Sequence, residues 1–310
     1  MLPFKIIYHP GYDLHLGAHV FPSQKYRLIY EALQREGVAT ADDFLAPELA
    51  TDQDVLRVHT PEWTHSLKSG QLTMPELTRL EIPWSPEMVR AVWLAAGGSI
   101  LAGRRALADG YAANLAGGLH HAFPEHGEGF CAIHDVAIAI RHLQAAGAVR
   151  TAMVVDTDVH QGNGTAAIFR DDPTVFTLSI HQENNYPVPK PPSNVDINLE
   201  DGTGDADYLA ILEKHLMAAL DEFSAGLIFY VCGADPYRED QLGGLALTIE
   251  GLKRRDRLVF EHARRRGIPV ASAPAGGYAR RVEDTVRIHM NTIVAAAEAL
   301  AVLPRPPASR

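Results

Sequence analysis

Short apolar runs alternate along this chain with longer stretches in which apolar residues recur every three or four positions. The runs at 4–8, 112–115, 152–156, 175–179, 226–232 and 269–273 are apolar throughout, the pattern of strands buried on both faces. The periodic stretches at 22–36, 86–109, 135–146, 164–169, 205–223, 248–266 and 282–303 predict helices. Strand-then-helix order repeated in this way predicts an α/β fold with a mostly parallel sheet covered on both faces. No Gly/Ser-rich or Pro-rich linker interrupts the middle, so one domain over 1–303 is expected, followed by a disordered Pro-rich tail at 304–310. One stretch breaks the rhythm. Residues 182–203 contain NNYPVPKPP, whose prolines forbid a helix or a central strand. A surface loop is expected there, either a disordered insertion or one wall of a site.

In open α/β sheets, ligands sit beyond the carboxyl ends of the strands. Polar residues cluster at those ends here: GGLHHAFPEHGEGF, DTDVHQGNG, IHQEN, GADPYRED and PAGGYAR each follow a predicted strand. Asp158 and His160 alternate in an extended segment, so their side chains point the same way and can share one ion. Asp235, just beyond GLIFYVCG, is the candidate third ligand. Two carboxylates and an imidazole suit Zn²⁺ or Fe²⁺ with one position left open. The plainer alternative is a capping Asp158 and a core His160. His120 and His121 could serve a bound water as electrostatic partner and general base, or could form a surface pair beside His126. Tyr278 follows two glycines; its hydroxyl could stabilise an oxyanion, although GGY is also an ordinary turn.

Composition narrows the setting. With 310 residues, 46% hydrophobic and 21% charged, the chain can bury a sizeable core. A net charge of −10 argues against a broad nucleic-acid surface and is compatible with cationic substrates. Cys131 and Cys232 are far apart in apolar contexts and suggest neither a disulfide framework nor a CxxC zinc site. The start, MLPFKIIYHP, lacks the features of a signal peptide, and no run approaches the ~20 apolar residues of a membrane span. A cytoplasmic protein is expected, without a membrane or nucleic-acid partner.

Taken in order, GGLHHA, GFCAIHDVAIAI, DTDVHQGNG, SIH, GADPYREDQLGGL and AGGY resemble the histone deacetylase family of zinc-dependent deacylases. The resemblance runs from Phe4 to Ala301, and GFCAIHDVAIAI and HQGNG are most similar to the class IV branch and its bacterial relatives. It implies the arginase/deacetylase three-layer sandwich with a mostly parallel sheet of about eight strands. By motif match, Asp158, His160 and Asp235 would hold zinc. His121 would be the general base, His120 its electrostatic partner bonded to Asp156, and Tyr278 the oxyanion donor. A structural K⁺ or Na⁺ would sit among Asp156, Asp158, His160, Ser179 and Ile180, and a second cation near Phe169, Asp172 and Val175. Gly129, Phe130 and Tyr186 would wall a substrate tunnel. The implied reaction is removal of acetyl or longer acyl groups from lysine; the rival substrate is an acylated polyamine. A homodimer is compatible with the resemblance.

Several positions depart from the family pattern. Asn163 stands where some members carry an aspartate partner for the base, which predicts a less basic His121. Leu119 replaces an aromatic residue and is expected to widen the tunnel bottom, favouring longer acyl chains. Lys25 is either an internal basic residue below the tunnel or a solvated lysine on a helix surface. Glu125, Glu128 and Glu183 could restrict the entrance to cationic amines or simply aid solubility.

Overall fold

A computed structural model describes residues 1–302; the expected tail and Leu303 lie outside the described residues. Eight strands form one sheet: β1 (Lys5–Ile7), β2 (Phe44–Leu45), β3 (Tyr111–Asn114), β4 (Ala152–Asp156), β5 (Val175–Gln182), β6 (Val195–Leu199), β7 (Leu227–Val231) and β8 (Val270–Ala273). Their order is β2-β1-β3-β8-β7-β4-β5-β6, and every pairing is parallel. Ten α-helices are present among the described residues: α1 (Lys25–Arg35), α2 (Asp52–Val55), α3 (Pro61–Ser69), α4 (Met74–Leu80), α5 (Pro86–Asp109), α6 (Asp135–Ala145), α7 (Asn163–Phe169), α8 (Asp205–Glu222), α9 (Ile249–Arg265) and α10 (Val282–Val302).

The continuously apolar strands explain the layering. Successive side chains leave opposite faces of a strand. Val154 of β4 and Phe229 of β7 therefore join the core under α5 and α6. Met153, Val155 and Ile228 join the second core, with apolar residues of α1, α8, α9 and α10. Each fully buried Val, Leu or Phe contributes about 1.5–3 kcal/mol relative to exposure, so neither face tolerates a polar substitution. The longest predicted helix coincides with α5. The Ser85 hydroxyl accepts from the Met88 N–H at 3.0 Å, Pro86 occupies the first turn, and Gly110 closes the helix at φ 91°.

Two strands depart from the sequence expectation. β2 has only two residues, too few to form a pattern. β6 lies inside the 182–203 stretch that was expected to be loop throughout, and it follows the last of the prolines. It occupies a sheet edge beside β5, which itself continues to Gln182. A strand is compatible with this segment because the prolines precede it and never enter the ladder.

Candidate active site

Four neighbouring strands in the middle of the sheet, β3, β8, β7 and β4, each end in a loop that carries chemistry. Beyond β3, Gly117 and Gly118 turn the backbone at φ 89° and 76° into Leu119, His120 and His121. β4 ends at Asp156 and leads into Asp158 and His160. Asp235 follows β7, and Tyr278 follows β8. All of these side chains are buried, with His121 5% and His160 7% exposed.

Asp158, His160 and Asp235 each present a ligand atom within 4.8 Å of the others. His160 Nδ1 is 3.0 Å from Asp158 Oδ1 and 3.4 Å from Asp235 Oδ2. The carboxylates are held from behind. Asp158 Oδ2 accepts from the Gly276 N–H at 2.9 Å, and Asp235 Oδ1 accepts from the Val159 N–H at 2.9 Å. Asp235 Oδ2 is buried without a hydrogen-bond partner. An orphaned carboxylate oxygen beside a second carboxylate is costly unless a cation neutralises both. Burial and the neighbouring Asp158 push Asp235 up to about 7. Gly276 leaves room for the group, since a Cβ there would lie 1.9 Å from Asp235 Oδ2. An O/N/O donor set with an unsatisfied oxygen fits a divalent metal.

His120 Nδ1 is 2.7 Å from Asp156 Oδ2. Burial opposes a charge on His120, but Asp156 and Asp158 outweigh it and raise its pKa to about 9. His121 lies beside it, ring centroids 4.0 Å apart, and donates from Nδ1 to Asn163 Oδ1 at 2.7 Å. Burial and then the neighbouring His120 and His160 push His121 well below the usual histidine value, so it is neutral and available as a base. Burial followed by Asp235 and Asp158 holds Tyr278 well above the usual phenol value. Its hydroxyl is therefore a donor at any working pH.

These groups open on a cleft of ≈ 240 Å³ lined by Gly129, Phe130, Tyr186, His121, His160 and Tyr278, with Leu242, Asn185 and Glu81 completing it. Leu119 does not line this cleft. Its side chain is buried in the same core cluster as Tyr278, and its N–H donates to Asp135. Lys25 is buried and not solvated: its Nζ donates to the Ala275 carbonyl at 2.5 Å and lies 5.9 Å from the Tyr278 ring centroid. Burial, opposed by Asp235 and Asp158, lowers Lys25 to about 8.

The residues expected at the first monovalent-cation site are adjacent, because Asp156 pairs in register with Ser179 and Ile180 follows. The Ser179 hydroxyl is 2.9 Å from His181 Nδ1. At the second, Phe169 and Asp172 offer carbonyls that accept from the Asp172 and Val175 N–H groups, while the Asp172 carboxylate pairs with Arg141. Of the three glutamates near the entrance, Glu125 and Glu183 are exposed. Glu128 is half-buried and accepts from Asn163 Nδ2 at 2.6 Å and from the Tyr186 hydroxyl at 2.5 Å.

Two carboxylates that position the site escape a motif search. Asp135 accepts from the Gly118 and Leu119 N–H groups and from Ser99, clamping the turn before the two histidines. Asp240 accepts from the N–H groups of Tyr278, Leu242 and Gly243. Both lie within motifs already noted, GFCAIHD and GADPYRED, but their contacts to the Gly118, Leu119 and Tyr278 amides join segments distant in sequence, which spacing does not reveal.

The parallel sheet with a helical layer on each face is the arginase/deacetylase fold. An HDAC homolog complexed with SAHA superposes with a TM-score of 0.82 at 24% identity, covering 95% of this chain and 84% of that one. An HDAC homolog from Aquifex aeolicus gives 0.78 at 23% identity, over 97% of this chain and 89% of that one. In sequence, the chain matches the histone deacetylase domain over residues 19–293. It is 42% identical over 287 residues to an uncharacterized protein of Picosynechococcus sp., covering 92% of this chain and 96% of that protein. It is 31% identical to Histone deacetylase 2 of Arabidopsis thaliana over 91% of this chain and 77% of that one, and 30% identical to the acetoin utilization protein AcuC of Bacillus subtilis over 78% and 69%. The chain belongs to the histone deacetylase family, whose members are deacetylase hydrolases. No described helix is long and apolar enough to cross a membrane.

Proposed function

We propose that this protein is a zinc-dependent amidohydrolase that removes acetyl or longer acyl groups from lysine side chains of proteins or peptides. One observation carries this reading: His121, His160 and Tyr278 line the same cleft, and its walls include the apolar faces of Phe130, Tyr186 and Leu242. A zinc ion held by Asp158, His160 and Asp235 would supply Lewis acidity to the attacking water and to the amide carbonyl. His121, neutral and with Nδ1 engaged by Asn163, takes the water proton at Nε2 and later delivers it to the leaving amine. His120, held by Asp156, places a positive charge against the developing negative charge. Tyr278 donates its hydroxyl to the carbonyl oxygen as the tetrahedral species forms. Phe130 and Tyr186 flank the acyl-lysine methylenes and exclude water. Asp156, Asp158, His160, Ser179 and Ile180 would hold a structural K⁺ or Na⁺, with a second near Phe169, Asp172 and Val175.

A second reading, an acetylpolyamine or other small amide as substrate, has its own observation: Glu81 lines the cleft and presents a carboxylate at its rim. Both readings are tested by one panel. Zinc-loaded protein is offered acetyl-, octanoyl- and myristoyl-lysine peptides and acetylspermidine, with His121→Ala as the control. Turnover of the peptides that is lost in His121→Ala and after chelation supports the lysine reading. Preference for acetylspermidine in direct competition replaces it with the second. No turnover of any substrate sinks both.

A further inference from the structure

The site contains an ambiguity that its own chemistry must resolve. An asparagine amide offers a carbonyl oxygen on one side and an NH₂ group on the other, and either can face a histidine. If the NH₂ of Asn163 faced His121 Nδ1, that nitrogen would have to accept. The imidazole proton would then sit on Nε2, and the base would have no lone pair for a water. An aspartate at 163 would leave no such choice, since a carboxylate only accepts. The correct tautomer of His121 therefore depends on whatever fixes the Asn163 amide.

Glu128 does so. Its Oε1 lies 2.6 Å from Asn163 Nδ2, and an ionised carboxylate can only accept, so the NH₂ group must point to Glu128 and the carbonyl to His121. The same oxygen accepts from the Tyr186 hydroxyl at 2.5 Å, and Oε2 is 3.2 Å from His126 Nε2. Burial alone would favour protonation of Glu128, but the bonds from His126, Tyr186 and Asn163 outweigh it and leave the group below its ordinary range. A tight turn fixes the carboxylate in place. Glu128 and Cys131 exchange backbone hydrogen bonds at 3.0 and 2.9 Å across Gly129 and Phe130, whose φ values are 52° and 69°. Positive φ at both central residues marks a turn of the I′ kind, which only a short list of residues tolerates. Phe130 adopts it while facing the cleft. Tyr186 completes the arrangement, its ring packed edge-on against His121 with centroids 4.9 Å apart.

We propose that Glu128 is a positioning residue that locks the Asn163 amide, and with it the tautomer of His121, while tying the Tyr186 wall to the base. The chain His121–Asn163–Glu128 restores at one remove the negative charge that Asn163 lacks, because successive hydrogen bonds polarise one another. This inference rests on His121 acting as the base in the proposed reaction. It also makes Asn163 and Glu128 interdependent: a carboxylate at 163 would meet a second carboxylate at a distance that requires a shared proton.

The test combines kinetics with a spectroscopic readout. Glu128→Ala, Asn163→Asp, Glu128→Gln/Asn163→Asp and Tyr186→Phe are compared with the parent, each checked for equal zinc content and thermal midpoint. Glu128→Ala should lower kcat about tenfold or more, within the range of general-base contributions, and Tyr186→Phe should act mainly on KM. Asn163→Asp should lose activity beside Glu128 and regain it when Glu128 becomes Gln, whose amide can donate to the new carboxylate. Side-chain ¹⁵N shifts, assigned by difference from His121→Asn, should show the Nδ1–H tautomer of His121 in the parent and loss of that single tautomer in Glu128→Ala. Additive kinetic effects with an unchanged tautomer would overturn the proposal. A parent that hydrolyses nothing would overturn the function reading instead, while the tautomer measurement would still decide the role of Glu128.

Discussion

Tyr278 shows how much one side chain is held by its surroundings. Its N–H is bonded to Asp240 at 2.7 Å, its ring lies 6.0 Å from Phe130 and 6.1 Å from Phe21, and Lys25 sits against its face. Removing only the hydroxyl leaves all of these contacts. Tyr278→Phe is therefore expected to fold, bind metal normally and lose about 10²–10³ in kcat, the usual cost of one oxyanion donor. Steady-state kinetics alongside metal analysis checks this; kcat within threefold of the parent would remove Tyr278 from the chemistry. At this scale the sequence was most informative about residues inside ordered motifs, such as Asp158, His160 and Asp235. It was least informative about Asp135, Asp240 and Glu128. Their contacts to Gly118 and Leu119, to Tyr278, and to Asn163 and Tyr186 join segments far apart in sequence, so local pattern does not reveal them.

Elements supply the rigidity behind the ligands. Arg255 of α9 is fully buried and donates from Nη1 to the carbonyls of Gly233 at 2.7 Å and Thr157 at 3.3 Å, next to the segments that carry Asp235 and Asp158. Its Nε bonds to Asp256, which also accepts from Tyr230 and Thr292. Breaking a buried pair by removing one partner costs about 3–5 kcal/mol. Arg255→Met should destabilise the protein by that order in urea denaturation and weaken metal binding; an unchanged midpoint would contradict it. The segment after β5 depends on a different cation. Lys190 Nζ donates to the carbonyls of Glu183, Asn185 and Pro187, at 3.0, 2.5 and 3.0 Å. Lys190→Met should free this loop, raising KM severalfold through Tyr186 and Asn185 with little effect on kcat, and speeding limited proteolysis there. Equal KM and equal cleavage would show that the loop holds itself. The central strands and long helices were legible because their period is clean and their strands are apolar on both faces. The short helices α2, α3 and α4 went unread although each begins on a threonine cap, Thr51, Thr60 and Thr73, the first and last with a capping box closed by Asp54 and Glu76. These three helices, of four, nine and seven residues, carry too few turns to show a clear period.

The whole molecule buries histidines that the reaction does not use, and they set its response to acid. His59 is 2% exposed, and its Nε2 accepts from the His134 N–H at 2.9 Å, joining the segment before α3 to the start of α6. Burial outweighs the carbonyls of Pro124 and Phe123 and lowers His59 to about 4; burial, with His59 and His120 nearby, lowers His134 as well. Both are neutral in the fold and protonate more readily when unfolded. Their contribution is thus complete above the ordinary histidine value of ~6.5 and is lost as pH falls from there towards 4, with His59 alone accounting for about 2 kcal/mol at pH 5. Urea midpoints at pH 7.5 and pH 5 test this, and a flat profile that stays flat in His59→Gln would refute it.

The strand order has a consequence for how the chain reaches its working state. β3, β4, β7 and β8 lie side by side, yet long crossovers separate them in sequence, and the last to be synthesised, β8, is inserted between β3 and β7. Asp235 and Asp158 are aligned only once β7 has paired with β4, and Gly276, which holds Asp158, arrives with β8. Pairings between distant segments must overcome loop-closure entropy before they return any stability, which makes them late events. Ion binding at the Asp158–His160–Asp235 cluster, as proposed, would therefore belong to the final stage of folding, after β8 has left the ribosome.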